Sequence, residues 1–488
     1  MTAEKLFEGL KVESGIIKDL DITGIAYDSR KVEPGNIFVC IKGFASDGHR
    51  FIKSAADNGA ACALVQKGEN YETGLIPVVV CDDTRKALGK ISANFFDRPS
   101  KKLEMFGVTG TNGKTTSTYL LTAILEASGI SSGRIGTISY KAGDRVYESV
   151  NTTPESYELH KMFRQMVDAG DGACAMEVSS HALSMDRTGE ITFDYSIFTN
   201  LTEDHLDFHK DFEDYYQAKK KLFYQTWGGS LINIDDSYGA RMYEELKEDG
   251  VKALSFSTLH RDADYYAEVT QRTDTFSVMK VYYRGDYVAG FRIGIPGEFS
   301  VYNALGAFAA AYESGKDPED IVKGLESVKG VPGRFELVPN DKGVVVIVDY
   351  AHTPDALIKV LDTANQFKKG RLITVFGCGG DRDSAKRPMM GQAAGERSEF
   401  CVVTSDNPRT EDPAAILKDI EVGIAKTDCP FEMIQDRRGG IKRALDLYRE
   451  GDVVVVAGKG HEDYQIIGTT KHHFDDKEVI AEILNERN

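Results

Sequence analysis

The sequence predicts an α/β protein of three domains, at residues 1–99, 100–332 and 333–488. Three observations carry that prediction. Continuous apolar runs recur along the chain and read as strands buried on both faces, as in a mostly parallel sheet. Polar or glycine-rich residues follow those runs, at the place where open α/β sheets hold ligands. Glycine and proline punctuate two boundaries, "DRPSKK" (97–102) and "KGVPGRFE" (329–336), the second of which reads as a hinge.

In the first domain the apolar runs "NIFVCIKG" and "IPVVVCDD" lead into the helix-like stretches "HRFIKSAADNGAACALV" and "TRKALGKISANFF". The second domain opens on "KLEMFGVTG" and continues with strands at "ACAMEVSS", "YSIFTNLT", "SLINIDD" and "VKALSFS". Near its end "YYAEVTQRTDTFSVMKVYYRGDYVAGFRIGI" alternates as an antiparallel sheet does, ahead of the helix "VYNALGAFAAAYESG". The third domain alternates strand and helix in a Rossmann-like manner. Its runs are "VVVIVDYAHTPDALIKVLDTANQF", "RLITVFGCGGDRDS", "FCVVTSDNPRTEDPAAILKDIEVGIAK" and "DVVVVAGKGHEDYQ".

Composition removes several function classes. Charged residues are 28% and hydrophobic ones 41%, an ordinary globular balance. A formal charge of −17 argues against a sequence-independent nucleic-acid binder, which needs a basic face. No apolar run approaches the roughly 20 residues of a membrane span, so no membrane insertion is expected. The start, "MTAEKLFEGLKVESG", lacks the basic-then-apolar layout of a signal peptide. Seven cysteines lie scattered with no CxxC pair, as buried thiols in a reducing compartment do. The expected location is the cytoplasm.

The chemistry begins at "GVTGTNGKTT" (107–116), a glycine loop between a strand and the helix "TSTYLLTAILEASG". Its glycines let backbone N–H groups wrap a phosphate, and the helix N-terminus adds partial positive charge. Lys114 can reach terminal phosphates and Thr115 can offer its hydroxyl to magnesium. The general pattern GxxxxGK[ST] is shifted, because Val108 stands where the first glycine belongs. The loop predicts an ATP or GTP site.

Downstream, Glu177 ends a strand, and Asp204, His205, Asp207 and His209 follow another. Alone, such a cluster reads as a solvated helix start; beside a phosphate loop it points to Mg²⁺. In "DFEDYYQAKKKLFYQ", Lys219 has Tyr215, Tyr216, Leu222 and Phe223 at helical spacing on both sides. Lys220 falls toward the edge of that apolar stripe and Lys221 largely off it. A lysine in apolar surroundings favours its neutral, reactive amine, which suits covalent modification. "GCGGDRD" is no dinucleotide fingerprint, since Arg382 replaces the third glycine. "KHHF" (471–474) reads as a surface turn.

Together these residues closely resemble the Mur ligases, the ATP-dependent amino-acid-adding enzymes of peptidoglycan synthesis. The resemblance runs in order over essentially the whole chain: "GTNGKTT", "EVSSHAL", "TNLTEDHLDFH", "QAKKKLF", "GEFSVYNALGA", "VPGRFE", "DYAHTPDAL", "GCGGDRD", "SDNPRTEDP" and "GKGHE". It implies a uridine-nucleotide domain first, a P-loop ATPase-like domain second and an amino-acid-binding domain third. Gly110, Thr111, Asn112, Gly113, Lys114, Thr115 and Thr116 would then hold ATP phosphates, Asn303 the adenine, and Arg334 and Asp349 would close over the nucleotide. Lys219 matches a lysine carbamylated by CO₂, which with Thr115, Glu177 and His205 would hold two Mg²⁺ ions.

For the sugar-nucleotide dipeptide, UDP-N-acetylmuramoyl-L-Ala-D-Glu, Ser29 matches a uridine contact. Asn151, Thr152, Thr153, Ser179 and Arg187 match contacts to the muramoyl-dipeptide. Met185 stands where the family often has Gln, a departure at one polar substrate contact. Arg382, Asp406, Asn407, Pro408, Arg409, Gly458 and Glu462 match the pocket for the incoming amino acid. An Arg at position 409 can pair with the extra carboxylate of meso-diaminopimelate, which L-lysine lacks. The resemblance therefore implies diaminopimelate addition through an acyl phosphate, with Lys114, Lys219, Glu177 and His205 catalytic. A base for the amine is not assigned, His209 and His352 being candidates. The expected protein is a monomer acting on small molecules. Lysine addition, a folylpolyglutamate synthetase and a nucleotide-gated switch are the alternatives.

Overall fold

The computed structural model describes residues 1–15, 17–43, 46–273 and 275–486. The chain divides into two compact units. One comprises Met1–Thr109, Ile130–Ser196 and Ala218–Gly228; the other comprises Gly110–Gly129, Ile197–Gln217 and Gly229–Asn488.

The first unit contains a five-stranded sheet in the order Val12–Ser14, Val78–Cys81, Cys62–Gln66, Asn36–Val39, Gly24–Ala26. All its pairings are parallel except the first. Apolar residues point to both faces, with Ile37, Leu64 and Val79 on one and Phe38, Ala63 and Val65 on the other. Helix Thr84–Phe95 starts where the Asp83 carboxylate accepts from the Arg85 and Lys86 amides. The same unit pairs Glu104–Thr109, Ala173–Glu177 and Ser132–Ile135 in parallel. The strands Ser139–Ala142 and Arg145–Glu148 add antiparallel ribs. Side chains lock helix Ser156–Ala169 and the turn before it onto the first sheet's elements. Tyr27 donates to Glu158 at 2.7 Å, and Arg85 meets Glu155 at 3.4 Å.

In the second unit the expected antiparallel meander is present as Tyr265–Arg272, Ser277–Tyr283 and Asp286–Ile293. Helix Glu298–Glu313 follows, ending at Gly315, whose φ of +80° suits a glycine after a helix. Its C-terminal part has a six-stranded sheet in the order Glu336–Leu337, Val345–Asp349, Val453–Ala457, Leu372–Phe376, Phe400–Val403, Phe431–Met433. Only the first pairing is antiparallel. The continuous apolar runs are buried on both faces, as their composition requires: Ile347, Phe376 and Val455 on one, Val346, Val375 and Val454 on the other. The carboxyl ends of four of these strands therefore open into loops 350–353, 377–385, 404–412 and 458–463, the ligand edge of such a sheet. Over "KHHF" the expectation fails in part: Thr470–His473 is exposed, but it is a strand of a hairpin with Tyr464–Ile467. Among the described residues no helix is long and apolar enough to cross a membrane.

Candidate active site

The phosphate loop has the geometry its glycines predict. Gly110 and Gly113 take φ of +149° and +89°. A Cβ at Gly113 would fall 2.3 Å from the Asn303 side-chain oxygen. The loop is held from outside by Asn200, whose side chain accepts from the Asn112 amide at 3.0 Å, and by Thr199, which donates to the Asn112 carbonyl at 2.6 Å. Thr111 sits 3.1 Å from the Tyr215 hydroxyl. Lys114 Nζ folds back onto the carbonyls of Gly110 and Thr111 at 2.9 and 2.8 Å.

Residues from the last part of the chain reach this loop. Arg334 donates to the Thr115 hydroxyl at 3.0 Å and lies over the Tyr350 ring. Asp355, absent from the expectations, accepts from Asn112 at 3.0 Å, Thr202 at 3.1 Å and Lys359 at 2.9 Å. Between these groups lies a cavity of about 320 Å³, whose lining includes Asn112, Thr116, Asn303, Arg334 and Asp349. That volume is at the lower end for a small-molecule site. Asp349 is buried and accepts from the amides of Phe335 and Ala351 at 2.6 and 2.7 Å. Burial pushes its carboxyl up to about 6, against the opposing pull of Arg334 and those amides.

The expected acidic cluster is only partly assembled. Asp204 and His205 lie side by side at 3.4 Å. Burial pushes Asp204 upward, but His205, His352 and Lys386 outweigh it and hold the carboxyl below its ordinary value. Asp207 is exposed, and His209 pairs with Asp214 at 3.1 Å while its ring packs beside Tyr215, as the His205 ring does. Among the described residues no three His, Cys, Asp or Glu side chains gather as a metal cage. The His352 Nδ1 sits 2.7 Å from the Tyr350 carbonyl, leaving Nε2 as the acceptor nitrogen of the neutral ring.

Helix Phe212–Tyr224 carries Lys219 at 1% exposure, with Tyr215, Tyr216, Leu222 and Phe223 fully buried along it. Lys220 is buried as well, and Lys221 is exposed.

In the first unit, Glu177 is buried and its carboxylate accepts from the Thr137 amide and hydroxyl, both at 2.9 Å. Thr153 donates to the Glu177 carbonyl at 2.8 Å and accepts from the Ser179 amide at 3.0 Å. Arg187 donates to the Thr153 carbonyl at 2.8 Å and pairs with Glu155 at 3.2 Å. Thr152 is 3.1 Å from Thr137, and the Asn151 carbonyl accepts from Tyr140. Of the residues expected to hold the muramoyl-dipeptide, Thr153 joins Ser179 and Arg187 directly, and the unforeseen Thr137 links Thr152 to them through Glu177. Ser29 stands two residues beyond Tyr27 in the same unit, its carbonyl bound by Asn58 at 2.9 Å.

The last site gathers at the carboxyl edge of the C-terminal sheet. Asn407 donates to Glu462 at 2.9 Å, and buried Lys459 reaches both Asn407 and Glu462 at 3.2 Å. Asp406 Oδ1 accepts from the Asn407 amide at 2.6 Å; its Oδ2 is buried with no hydrogen-bond partner. Gly458, at φ +116°, leaves room for that oxygen, since a Cβ would fall 2.5 Å from it. Burial, and next the Asp406 charge, push Glu462 above its ordinary value. Arg409 takes φ +52° and donates to the Gly380 carbonyl at 2.7 Å. The Pro408 carbonyl lies against Gly380, and exposed Arg382 donates to Asp381 beside it. Hairpin residues fix the strained Arg409: its amide donates to the Ile466 carbonyl, and its carbonyl accepts from the Gly468 amide. Carboxylates and guanidiniums thus stand on neighbouring loops at one edge of the sheet.

Comparison with known proteins identifies the family. The family described as "Mur ligase family, catalytic domain" matches residues 21–96, "Mur ligase middle domain" residues 108–311 and "Mur ligase, glutamate ligase domain" residues 333–460. A UDP-N-acetylmuramoyl-L-alanyl-D-glutamate--2,6-diaminopimelate ligase of Clostridioides difficile is 48% identical over 96% of both chains. The chain belongs to the Mur ligase family. Its counterpart of that name in Clostridium perfringens is 45% identical over 99% of both. A solved structure of a ligase with that name superposes with a TM-score of 0.69 at 29% identity, covering 100% of this chain and 99% of the other. Mur ligases are ATP-dependent ligases, and this chain is one of them. The match at 21–96 covers the N-terminal block "YDSRKVEPG".

Proposed function

We propose that the protein joins the amine of meso-2,6-diaminopimelate to the side-chain carboxylate of the D-glutamate in UDP-N-acetylmuramoyl-L-Ala-D-Glu, consuming ATP. The observation that carries this reading is the pairing of unlike charges at one pocket edge. Asp406 Oδ2 and Glu462 offer acceptors for an ammonium group, and Arg409 and Arg382 offer donors for a carboxylate. An amino-acid centre bears both charges, and diaminopimelate presents such a centre at the end away from the reacting amine, whereas lysine presents an ammonium alone there.

The reaction divides into two transfers. The glutamate carboxylate attacks the γ-phosphorus of ATP, expelling ADP and forming an acyl phosphate. The amine then attacks the acyl carbon, and the tetrahedral adduct expels inorganic phosphate. Lys114, released from the carbonyls of Gly110 and Thr111, follows the phosphoryl group as charge shifts onto its oxygens. Thr137 fixes the position of the Glu177 carboxylate through its amide and hydroxyl. Arg334 and Asp355 tie the C-terminal part to the phosphate loop, which shields the acyl phosphate from water. His352, neutral with Nε2 as its lone-pair nitrogen, can take the proton the amine gives up.

Mg²⁺ suits the donor types of the residues carried over, Thr115 and His205 in one unit and Glu177 and Lys219, the last as its CO₂-derived carbamate, in the other; two such ions belong to this reading. The ions neutralise charge during phosphoryl transfer when bound. The protein is read as a cytoplasmic monomer acting on small molecules. The test is to supply purified protein with ATP, the UDP-dipeptide and either amino acid. Diaminopimelate-dependent phosphate release with a matching product mass is expected; efficient lysine addition without a diaminopimelate product would overturn the reading.

A further inference from the structure

Among the described residues Arg437 is the largest fully buried side chain, and no step above uses it. It opens helix Arg437–Leu447, and its partner Asp476 opens helix Asp476–Glu486. The two form a bidentate pair at 2.7 Å on both arms, each side chain 0% exposed. A cation at a helix N-terminus opposes the helix dipole. A buried ion pair is also a poor device for stability, since apolar residues of similar volume often do as well. What the guanidinium does beyond its partner is therefore informative. It donates to the Ser405 carbonyl at 3.3 Å and to the Ala457 carbonyl at 3.1 Å.

Those carbonyls immediately precede Asp406 and Gly458. They sit at the ends of two strands, Phe400–Val403 and Val453–Ala457, that are not neighbours in the sheet. The first loop supplies Asp406, Asn407 and Arg409; the second supplies Gly458, Lys459 and Glu462. Burial opposes the Arg437 charge, yet Asp476, and then Asp406 and Glu462, outweigh it and raise the guanidinium further. The same cation thus bears on both pocket carboxylates.

We infer that Arg437, held by Asp476, is the positioning residue that sets the spacing of the two loops bearing the Asp406 and Glu462 carboxylates, and so sets affinity for the ammonium-and-carboxylate centre of the amino-acid substrate. The inference rests on the pocket reading given under Proposed function. Lysine cannot replace the guanidinium, because one ammonium cannot hold a carboxylate bidentately and also reach two carbonyls. A chain with the pair replaced by apolar residues should fold and bind ATP, but hold the amino acid loosely.

The experiment compares four proteins by steady-state kinetics and thermal unfolding: wild type, Arg437→Lys, the double variant Arg437→Met with Asp476→Leu, and Arg409→Ala. For Arg437→Lys and the double variant the KM for diaminopimelate should rise at least about tenfold, the order expected for a misplacement below 1 Å. The KM values for ATP and UDP-dipeptide should stay within about twofold. Wild-type KM for diaminopimelate in a folded variant overturns the inference, as does an equal rise in all three KM values. If Arg409→Ala also leaves diaminopimelate binding intact, the pocket reading falls, and the inference with it. Hydrogen exchange of the wild-type protein decides the matter should the variants not fold. Diaminopimelate should slow exchange in loops 404–409 and 457–462 together with the helix starts at 437 and 476; protection of one loop alone overturns the inference.

Discussion

The phosphate loop and the amino-acid pocket are built in opposite ways. The loop is one continuous stretch, 107–116, which carries its own glycines and helix start and is only braced from outside by Thr199, Asn200 and Asp355. The pocket has no continuous segment. Asp406 and Arg409, Gly458 and Glu462, and Arg382 come from three loops, and a hairpin and a buried ion pair hold them in place. A site made locally acts on the reaction whichever amine is supplied, whereas a site assembled from distant parts can tell amines apart. Variants should divide along that line.

The severest loss is expected at the loop. Lys114→Ala should lower kcat on the order of 10³-fold, with diaminopimelate and with lysine alike, since it removes charge stabilisation from the phosphoryl transfer. A loss confined to one amine would show that the loop is not independent of the pocket. Next comes Arg409→Ala, expected to lower kcat/KM for diaminopimelate by about 10²-fold, the worth of a charge-assisted pair, with the KM for ATP unchanged. Asp355→Ala is smaller: freeing Asn112 and Thr202 should raise the KM for ATP about tenfold, the worth of a hydrogen bond to a charged group. Unchanged nucleotide kinetics would mean that Asp355 is a packing contact only.

These contrasts follow what sequence alone allows. Apolar runs such as "VVVIVD" and "FCVV" read correctly as parallel strands, because burial on both faces demands such composition. Lys219 could be placed in a buried stripe from helical spacing alone, and it is 1% exposed. Thr137, Asp355 and the Arg437–Asp476 pair could not be found so. Each gains its role from a residue far away in the chain, and Thr, Asp and Arg at a turn or a helix start are common. The hairpin at Thr470–His473 was read as a turn for a similar reason, since a wholly exposed strand carries no apolar alternation. In the cluster around Asp204, close spacing in sequence did not foretell that Asp207 would be exposed or that His209 would pair with Asp214.

The two units also differ in their response to acid. His160 in the first unit is buried with neither ring nitrogen partnered, and burial pushes it down to about 4. Its neutral form is fully accommodated above the unfolded value near 6.5, and that stability is lost as pH falls through about 4. Asp349 in the second unit has the opposite sign. Its carboxyl is raised to about 6, so its contribution is present below the unfolded value and lost as pH rises through about 6. His160→Phe should therefore remove up to about 3 kcal/mol of destabilisation at pH 4, with little effect at pH 8. Equal shifts at both pH values, followed by chemical denaturation, would contradict that sign.

The central claim is that the pocket chooses its substrate through the extra carboxylate. A competition between meso-diaminopimelate and L-lysine at equal concentration, read by product mass for wild type and Arg409→Ala, tests it most directly. Wild type should yield the diaminopimelate product almost alone. Arg409→Ala should lose that preference by slowing diaminopimelate addition, with lysine addition unaltered. An Arg409→Ala variant that still adds diaminopimelate at the wild-type rate, and still excludes lysine, would contradict the account.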